Sequence, residues 1–366
     1  MPRHRSLTLR KFLDAIPSSL IKEYFQQQFG GKLRLRAYDY EAVDELLSGT
    51  AEEALKGKIK EDFTHINDIC EKHTNVLVRA MGRYNIESSG TENTQELAMR
   101  MFLHYPEVFN YAYDYYCLSY STSKMSQYNI TANSCEISPK KIKKFEERVE
   151  NYYHKAEKGQ LCRVRHYDEE DQTVMVVVRG SYLRPWVVWK GQRTETVFYR
   201  RASEDILQFD KMKSILSIKA PYQKDRVNYI KVFTETILED ETQANRPDRD
   251  ATYTLAPLQD GSFSFSGNEH ITSITLLEVK LRLKGITFPE VTIKSTDVLK
   301  TLEYLGNLKL GSGELVHAKF RFQLEGERKP RPVTFEITPP NVTDLPKKRY
   351  ADVIGEYLKE NGVKLV

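Results

Sequence analysis

Two Cys–His pairs have the spacing of metal ligands. Cys70 and His73 are three residues apart, and Cys162 and His166 are four apart. Cysteine and histidine ligands in such pairs are typical of zinc sites. However, Cys70 and His73 continue the apolar stripe of a predicted helix, where cysteine behaves as a small hydrophobic residue. The two pairs are also far apart in the chain, so the sequence favours core packing, and we assign no metal ligands.

A charged pair on a predicted strand indicates a second kind of chemistry. Glu278-Val279-Lys280 matches the E-x-K half of a restriction-type nuclease motif, and Asp260 lies upstream. In such sites two carboxylates hold Mg²⁺ and the lysine orients or activates the attacking water. Strand alternation places Glu278 and Lys280 on one face, but Asp260-Gly261 is typical of a turn. The alternative is a solvated strand with cross-strand ion pairs. Only the nuclease hypothesis implies a cofactor, Mg²⁺.

Positive charge and aromatic rings are concentrated in the middle of the chain. Residues 179–231 contain twelve Lys or Arg and five Asp or Glu, a local net charge of +7, and both tryptophans of the chain. Single-stranded nucleic acid is bound by cations that follow the phosphates and by rings that stack on bases. The alternative is that the tryptophans belong to the core. The candidate contact residues are Arg179, Arg184, Trp186, Trp189, Lys190, Arg200, Arg201, Lys211 and Lys213.

A second basic surface is predicted on a hairpin near the C-terminus. His317, Lys319 and Arg321 alternate with apolar residues along one strand, so they share a face. The turn of the hairpin adds Arg328, Lys329 and Arg331. These residues are further candidates for contacting nucleic acid, and a solvated surface is the alternative.

The elements that position these residues change in type near Gly159. Before it, apolar residues recur every three to four positions, which predicts helices, and after it they mostly alternate, which predicts strands. We therefore expect an α+β protein: a helical domain (1–159), a β-meander with one helix (160–250) and a C-terminal α+β unit of strands, helix, hairpin and helix (251–366). The sheets are expected to be mostly antiparallel, and their predicted strands include 173–178, 186–189, 196–199, 206–209 and 271–283.

Three predicted helices matter for later comparison. One covers residues 50–81. A tyrosine-rich helix starts at Pro106, and it is either a central core helix or a surface for a partner. A third begins at Ser138-Pro139, as an N-cap followed by the first helical residue, and ends at Gly159.

Composition restricts the class of protein. The chain has 366 residues, a net charge of +4 and four scattered cysteines, which favours a reducing compartment. The N-terminus lacks the apolar run of a signal peptide, and no stretch of about 20 apolar residues is present. We therefore expect a cytoplasmic protein without membrane contact.

The leading functional hypothesis is a non-catalytic component of a larger intracellular complex that binds nucleic acid or assists assembly, with a protein partner. A Mg²⁺-dependent nuclease using Asp260, Glu278 and Lys280 is the first alternative. A protein-interaction subunit without nucleic-acid contact is the second. The sequence leaves DNA versus RNA and the oligomeric state open, and it assigns no catalytic residue outside the nuclease alternative.

Overall fold

The computed structural model describes residues 7–30, 33, 35–49, 52–70, 76–87, 90, 92–120, 124–130, 136–245, 252–283, 287, 289–325 and 332–365. The chain forms two compact units, Met1–Thr122 and Ser123–Val366. The sequence places the end of the helical domain at residue 159. In the structure, residues 123–159 instead belong to the same unit as the strands that follow them.

Helices alone make up the regular structure of the described part of the first unit. They are α1 (Leu9–Leu13), α2 (Ser18–Phe29), α3 (Tyr40–Ser48), α4 (Glu53–Asp68), α5 (Val76–Tyr84), α6 (Thr94–His104) and α7 (Pro106–Tyr120). The predicted stripe of α4 is buried, with Ile59, Phe63 and Ile66 inaccessible to solvent. The prediction of one helix over 50–81 is wrong, because α4 ends in a turn in which the Cys70 amide donates to the Asn67 carbonyl.

The tyrosine-rich helix α7 is a core helix. Tyr111, Tyr115 and Tyr116 are each less than 5% exposed. Arg79 donates from Nε to the Tyr111 hydroxyl at 3.0 Å, and its guanidinium lies 4.4 Å from the centre of the Tyr115 ring. A buried tyrosine needs a polar partner for its hydroxyl, and α5 supplies it here. The core interpretation is confirmed for these three residues.

A ten-stranded antiparallel sheet organises the described part of the second unit. Its strands are β1 (Met125–Asn129), β2 (Cys162–Asp168), β3 (Gln172–Lys190), β4 (Arg193–Asp210), β5 (Ile215–Lys219), β6 (Ile271–Leu283), β7 (Glu290–Lys294), β8 (Gly313–Leu324), β9 (Val333–Thr338) and β10 (Val342–Thr343). Their order is β2-β3-β4-β5-β1-β10-β9-β8-β6-β7. The two segments that the sequence divides at residue 250 therefore share one sheet.

Five helices pack with this sheet: α8 (Pro139–Lys155), α9 (Gln223–Phe233), α10 (Ala256–Asp260), α11 (Val298–Leu305) and α12 (Ala351–Glu360). The predicted start of α8 is confirmed, since the Ser138 hydroxyl accepts from the Lys141 amide at 3.3 Å. The helix ends at Lys155 rather than Gly159. α8 and α9 share one buried core with β1–β5, and α11 and α12 share another with β6, β8 and β9.

The α+β class is confirmed, with twelve α-helices in the described residues, those before residue 123 forming the helical part. The predicted strand over 271–283 has the observed bounds of β6. By contrast, the four strands predicted over 173–178, 186–189, 196–199 and 206–209 are parts of only two, β3 and β4. Among the described helices, none has the length and apolar character required to cross a bilayer.

Candidate nucleic-acid interface

β3 and β4 extend beyond the sheet as a two-stranded ribbon. β2 pairs with β3 only as far as Arg179, and β5 pairs with β4 only from Ile206 onward. Beyond these limits β3 and β4 pair only with each other, up to the two-residue loop Gly191-Gln192. We call residues 181–203 the arm. All but three of its residues are exposed, so the arm projects into solvent.

The base of the arm is fixed by backbone packing. Gly180 lies so close to the connection after α8 that a Cβ atom there would be 2.2 Å from the Lys158 carbonyl oxygen. A bulge follows, in which Ser181 and Tyr182 of β3 lie opposite one residue of β4. Arg200 then donates to the Glu157 carbonyl at 2.5 Å and to the Ser181 carbonyl at 3.2 Å. These contacts determine where the arm leaves the sheet.

One side of the arm, which we call the cationic face, combines charge with rings. By register and alternation it carries Tyr182, Arg184, Trp186, Val188, Lys190, Arg193, Glu195, Val197, Tyr199 and Arg201. The Trp186 and Tyr199 rings are 5.7 Å apart between centres. Lys190 pairs with Glu195 at 2.9 Å, whereas Arg184 and Arg193 form no ion pair with any described residue. This face therefore offers free guanidinium groups beside exposed rings.

The other side, which we call the apolar face, has a different composition. It carries Leu183, Pro185, Val187, Trp189, Thr194, Thr196, Phe198 and Arg200. Trp189 is 76% exposed, Val187 71% and Phe198 65%. Contiguous exposed apolar surface of this kind usually marks an interaction site.

A pocket of about 240 Å³ lies at the base of the cationic face, between the arm and the start of α9. We call it the arm-base pocket. Four rings line it, from Tyr182, Trp186, Tyr199 and Tyr222. Four cations line it as well, Lys158, Arg179, Arg184 and Arg201. Among the described lining residues there is no carboxylate, so the pocket suits a ligand with an aromatic part and a negative charge.

Two of these cations belong to a buried polar network behind the pocket. Lys158 Nζ lies 2.9 Å from Asp225 Oδ2, and Arg179 Nε lies 2.5 Å from Asp205 Oδ2. The Tyr229 hydroxyl also donates to Asp205, at 2.8 Å. Burial lowers the pKa of Arg179, but the hydrogen bond and charge of Asp205 outweigh burial and raise it overall. The charges of Lys158 and Arg179 are therefore compensated behind the pocket, whereas the Arg184 and Arg201 side chains are exposed.

The structure separates the predicted contact residues. Trp186 and Trp189 are 51% and 76% exposed, so the core alternative is wrong for both, but they lie on opposite faces of the arm. Arg179 is 3% exposed and held by Asp205, so its charge is already compensated within the protein. Arg200 is bound to two carbonyl groups at the arm base.

Two predicted lysines lie outside the arm, at the far end of β4. Lys211 Nζ is 2.9 Å from Asp168, and Lys213 Nζ is 2.5 Å from Asp352. The structure thus does not bring Lys211 and Lys213 together with the arm cations. The members of the predicted set that share the cationic face are Arg184, Trp186, Lys190 and Arg201.

The second basic surface is balanced by acids. Lys319 pairs with Glu336 at 3.0 Å, and Lys124 pairs with the same carboxylate at 2.6 Å. Burial lowers the pKa of His317, which favours its neutral form. Arg321 is exposed on the same face. The turn residues Arg328, Lys329 and Arg331 lie outside the described residues.

The nuclease residues are placed in two separate settings. Glu278 and Lys280 share one charged groove, as alternation predicts, but Glu278 pairs with Lys294 at 3.2 Å and Lys280 pairs with Glu290. Asp260 is not among the residues lining that groove, and its carboxylate accepts from the Ser262 amide at 2.9 Å. Within the described part of the chain, no group of three or more His, Cys, Asp or Glu is arranged to hold a metal.

The cysteines of the Cys–His pairs are placed as packed residues. Cys162 is 6% exposed, in the core shared with α8, and its neighbour His166 is exposed on β2. The Cys70 thiol donates to the Ile66 carbonyl at 3.0 Å, and His73 lies outside the described residues. Burial raises the pKa of both thiols to about 12.

Four charged or aromatic residues of the arm-base pocket are not among the contact residues predicted from the sequence: Lys158, Tyr182, Tyr199 and Tyr222. Lys158 stands at the end of α8, and Tyr222 is the residue before α9. Gly159 and Pro221, next to these residues in the sequence, indicate that both lie in connections outside the helices. Nothing in the spacing shows that the two connections meet.

No protein-family model matches the chain, and no curated protein matches its sequence at a significant level. The function must therefore be inferred from the arm and its pocket.

Proposed function

We propose that the protein is a non-catalytic component that binds single-stranded nucleic acid through the cationic face of the arm. The observation that carries the proposal is the exposure of rings and unpaired guanidinium groups on one side of a projecting ribbon. The arm contains five cations and one carboxylate, a net charge of +4, which equals that of the whole chain. The positive charge is thus concentrated where the rings are.

Electrostatics and stacking act together on this face. From the base of the arm to its tip this face carries Arg201, then Arg184 opposite Tyr199, then Trp186, and finally Lys190 opposite Arg193. A strand that follows the ribbon therefore meets cations at both ends of the face and rings between them. Each stacked base contributes about 1–3 kcal/mol, and cations release counterions from the phosphates. Bases are free to stack on side chains only when they are unpaired, which favours single strands over duplex.

The test is a titration of a fluorescent single strand of about 16 nucleotides, followed by anisotropy at salt concentrations from about 50 to 200 mM. Arg184→Glu and Arg193→Glu should each weaken binding and reduce the slope of log K against log salt by about 0.7 for each phosphate that is no longer neutralised. A duplex of the same length should bind more weakly than the single strand.

Lys144→Glu is the matched control, because Lys144 is an exposed cation on α8 and lies outside the arm. It should leave both affinity and salt slope unchanged. An equal decrease in affinity for Lys144→Glu and Arg184→Glu would mean that the protein binds through net charge rather than through the arm. No binding by the wild-type chain at about 50 mM salt would overturn the proposal.

A protein partner is the second candidate, favoured by the apolar face. Its exposed Val187, Trp189 and Phe198 cannot be explained by phosphate contact. This candidate predicts that a partner co-purifies with the wild-type chain. We expect Val187→Asp and Phe198→Asp to abolish that complex while they leave the affinity for the single strand unchanged. Size-exclusion chromatography with light scattering measures the loss of the complex, and an unchanged complex would remove this candidate.

A further inference from the structure

We infer that the arm-base pocket binds one unstacked nucleotide, with its base against the rings and its phosphate at Arg184 and Arg201. This inference rests on the proposed function and adds to it. The pocket encloses part of one nucleotide of the bound strand, whereas the rest of the cationic face is an open surface.

The rings come from two parts of the fold. Tyr182, Trp186 and Tyr199 belong to the arm, whereas Tyr222 precedes α9 on the body of the unit. Tyr182 and Tyr222 are 38% and 48% exposed, so both still present surface to a ligand. A base that enters the pocket contacts both groups, whereas a base farther along the arm contacts only the arm. Tyr222 therefore distinguishes the pocket from the rest of the face.

A buried cation forms the floor of the pocket. Lys158 is 1% exposed, and its Nζ lies 5.0 Å from the centre of the Tyr222 ring and 5.4 Å from that of Tyr182. The cation, held by Asp225, thus fixes two of the four rings before any ligand arrives. A site that is ordered in advance loses less entropy on binding.

Size and charge restrict the ligand. At about 240 Å³ the pocket is smaller than typical sites for drug-sized molecules, about 300–1,000 Å³, and suits a single nucleotide unit. Since the described lining carries cations and no carboxylate, a phosphate is attracted rather than repelled. The same chemistry is offered by a nucleotide within a strand, by a phosphorylated strand end and by a free mononucleotide.

The chain contains a built-in pair of reporters. Its two tryptophans lie on opposite faces, so Trp189→Phe leaves only the pocket residue Trp186, and Trp186→Phe leaves only Trp189. The probes are a thymidylate oligomer of about eight nucleotides, with and without a 5′-phosphate, and thymidine 5′-monophosphate. The oligomer should quench Trp186 emission in the first variant and have a much smaller effect on Trp189 in the second.

The deciding variant is Tyr222→Ala. It should weaken binding of the oligomer roughly 5-fold to 150-fold, as expected when one base no longer stacks on a ring, whereas Tyr222→Phe and the apolar-face variant Phe198→Ala should stay within about twofold of wild type. Circular dichroism on heating checks that each variant is folded. A preference for the 5′-phosphate assigns the pocket to a strand end, equal affinities assign it to an internal nucleotide, and quenching by the monophosphate alone assigns it to a free nucleotide.

The outcomes separate this inference from the proposed function. If Tyr222→Ala binds like wild type while Arg193→Glu at the arm tip weakens binding, the pocket inference is wrong and the proposed function stands. If the oligomer does not bind but the monophosphate quenches Trp186, the proposed function is wrong and the pocket stands as a mononucleotide site. If neither probe has an effect, both are wrong.

Discussion

Asp205→Asn should be among the most destabilising single changes in the second unit. The Asp205 carboxylate is 1% exposed. It accepts hydrogen bonds from Arg179 Nε at 2.5 Å and Nη2 at 3.3 Å, and from the hydroxyls of Tyr229 at 2.8 Å and Tyr153 at 3.3 Å. Asparagine removes the charge, and its NH₂ group is a donor that faces other donors, the Arg179 guanidinium and the two tyrosine hydroxyls. Arg179 then keeps one carboxylate, Asp225, at 3.6 Å.

The expected destabilisation follows from removing the closest partner of a buried cation, and breaking a buried pair in this way costs about 3–5 kcal/mol. For a unit of this size each kcal/mol lowers Tm by about 2–4 °C, so we expect a drop of roughly 6–20 °C. Urea denaturation followed by far-UV circular dichroism measures the free energy of unfolding directly. The neighbouring change Glu204→Gln is the control. That carboxylate is exposed and pairs with Arg165 at 3.1 Å, and the loss of such a surface pair should cost less than about 1 kcal/mol.

A double variant tests whether the loss of stability in Asp205→Asn comes from the unpaired charge of Arg179. Arg179→Met with Asp205→Leu removes both charges, and apolar replacement of a buried ion pair is often neutral. The double variant should therefore recover part of the stability that Asp205→Asn removes, because it no longer leaves a buried cation unpaired, although the Tyr229 and Tyr153 hydroxyls still lose their acceptor. If Asp205→Asn costs less than about 1 kcal/mol, or if it matches Glu204→Gln, the carboxylate is not buried against Arg179 and the pocket floor is not held by this ion pair.

Three further changes test separate features of the second unit, each by urea denaturation. Gly180→Ala should destabilise by about 1–3 kcal/mol, because its Cβ would lie 2.2 Å from the Lys158 carbonyl oxygen; wild-type stability would refute that close approach. Burial raises the pKa of Glu336, yet hydrogen bonds from two lysines outweigh burial and lower it to about 2. Stability should therefore fall as pH drops from about 4.3 to 2, and Glu336→Gln should flatten that fall. Burial lowers the pKa of Lys347 to about 8, so stability should rise from pH 8 towards about 10.4; Lys347→Met should be more stable than wild type at pH 7 and lose that advantage at the upper end.

The sequence predicts the C-terminal elements well because their signals are local. In β6 the charged residues Glu278, Lys280 and Arg282 alternate with buried neighbours, and the period of two alone defines the strand. Ser138-Pro139 likewise defines the start of α8 without reference to any distant residue. The same local rules place Glu278 and Lys280 on one face, as the structure does.

The arm was missed because its length depends on pairing rather than on composition. Gly180 and Pro185 interrupt the apolar alternation of β3, and glycine and proline within a run normally end a strand. Here Gly180 allows close contact with Lys158, and Pro185 sits in a ribbon with no third strand beside it. Simple alternation would place Arg179 and Arg184, five residues apart, on opposite faces of β3. The bulge after Gly180 places them on the same face, and the residue pattern of β3 alone does not reveal the bulge.

The pocket depends on contacts between residues far apart in sequence. Lys158, Tyr182 and Tyr222 meet only after α8 and α9 have packed on the same side of the sheet. Each residue alone is an ordinary loop or strand residue. The run of cations over 179–231 includes the arm, but burial divides it: Arg179 and Arg184 are only five residues apart, yet one is neutralised by Asp205 and the other is exposed.

The two-sided structure of the arm explains why it has two candidate partners, a nucleic acid and a protein. In a ribbon two strands wide, side chains alternate between two sides, and most of each face is exposed in the part of the chain that the structure describes. The cationic face, with Arg184 and Arg193, suits phosphates, whereas Trp189 and Phe198 on the apolar face gain nothing from phosphate and are disfavoured by exposure to water. A nucleic acid on one side leaves the other free, so a strand and a protein can occupy the arm together. If single-strand binding and partner binding instead exclude each other in a competition titration, the two faces do not act independently, and the division of the arm into two interfaces is wrong.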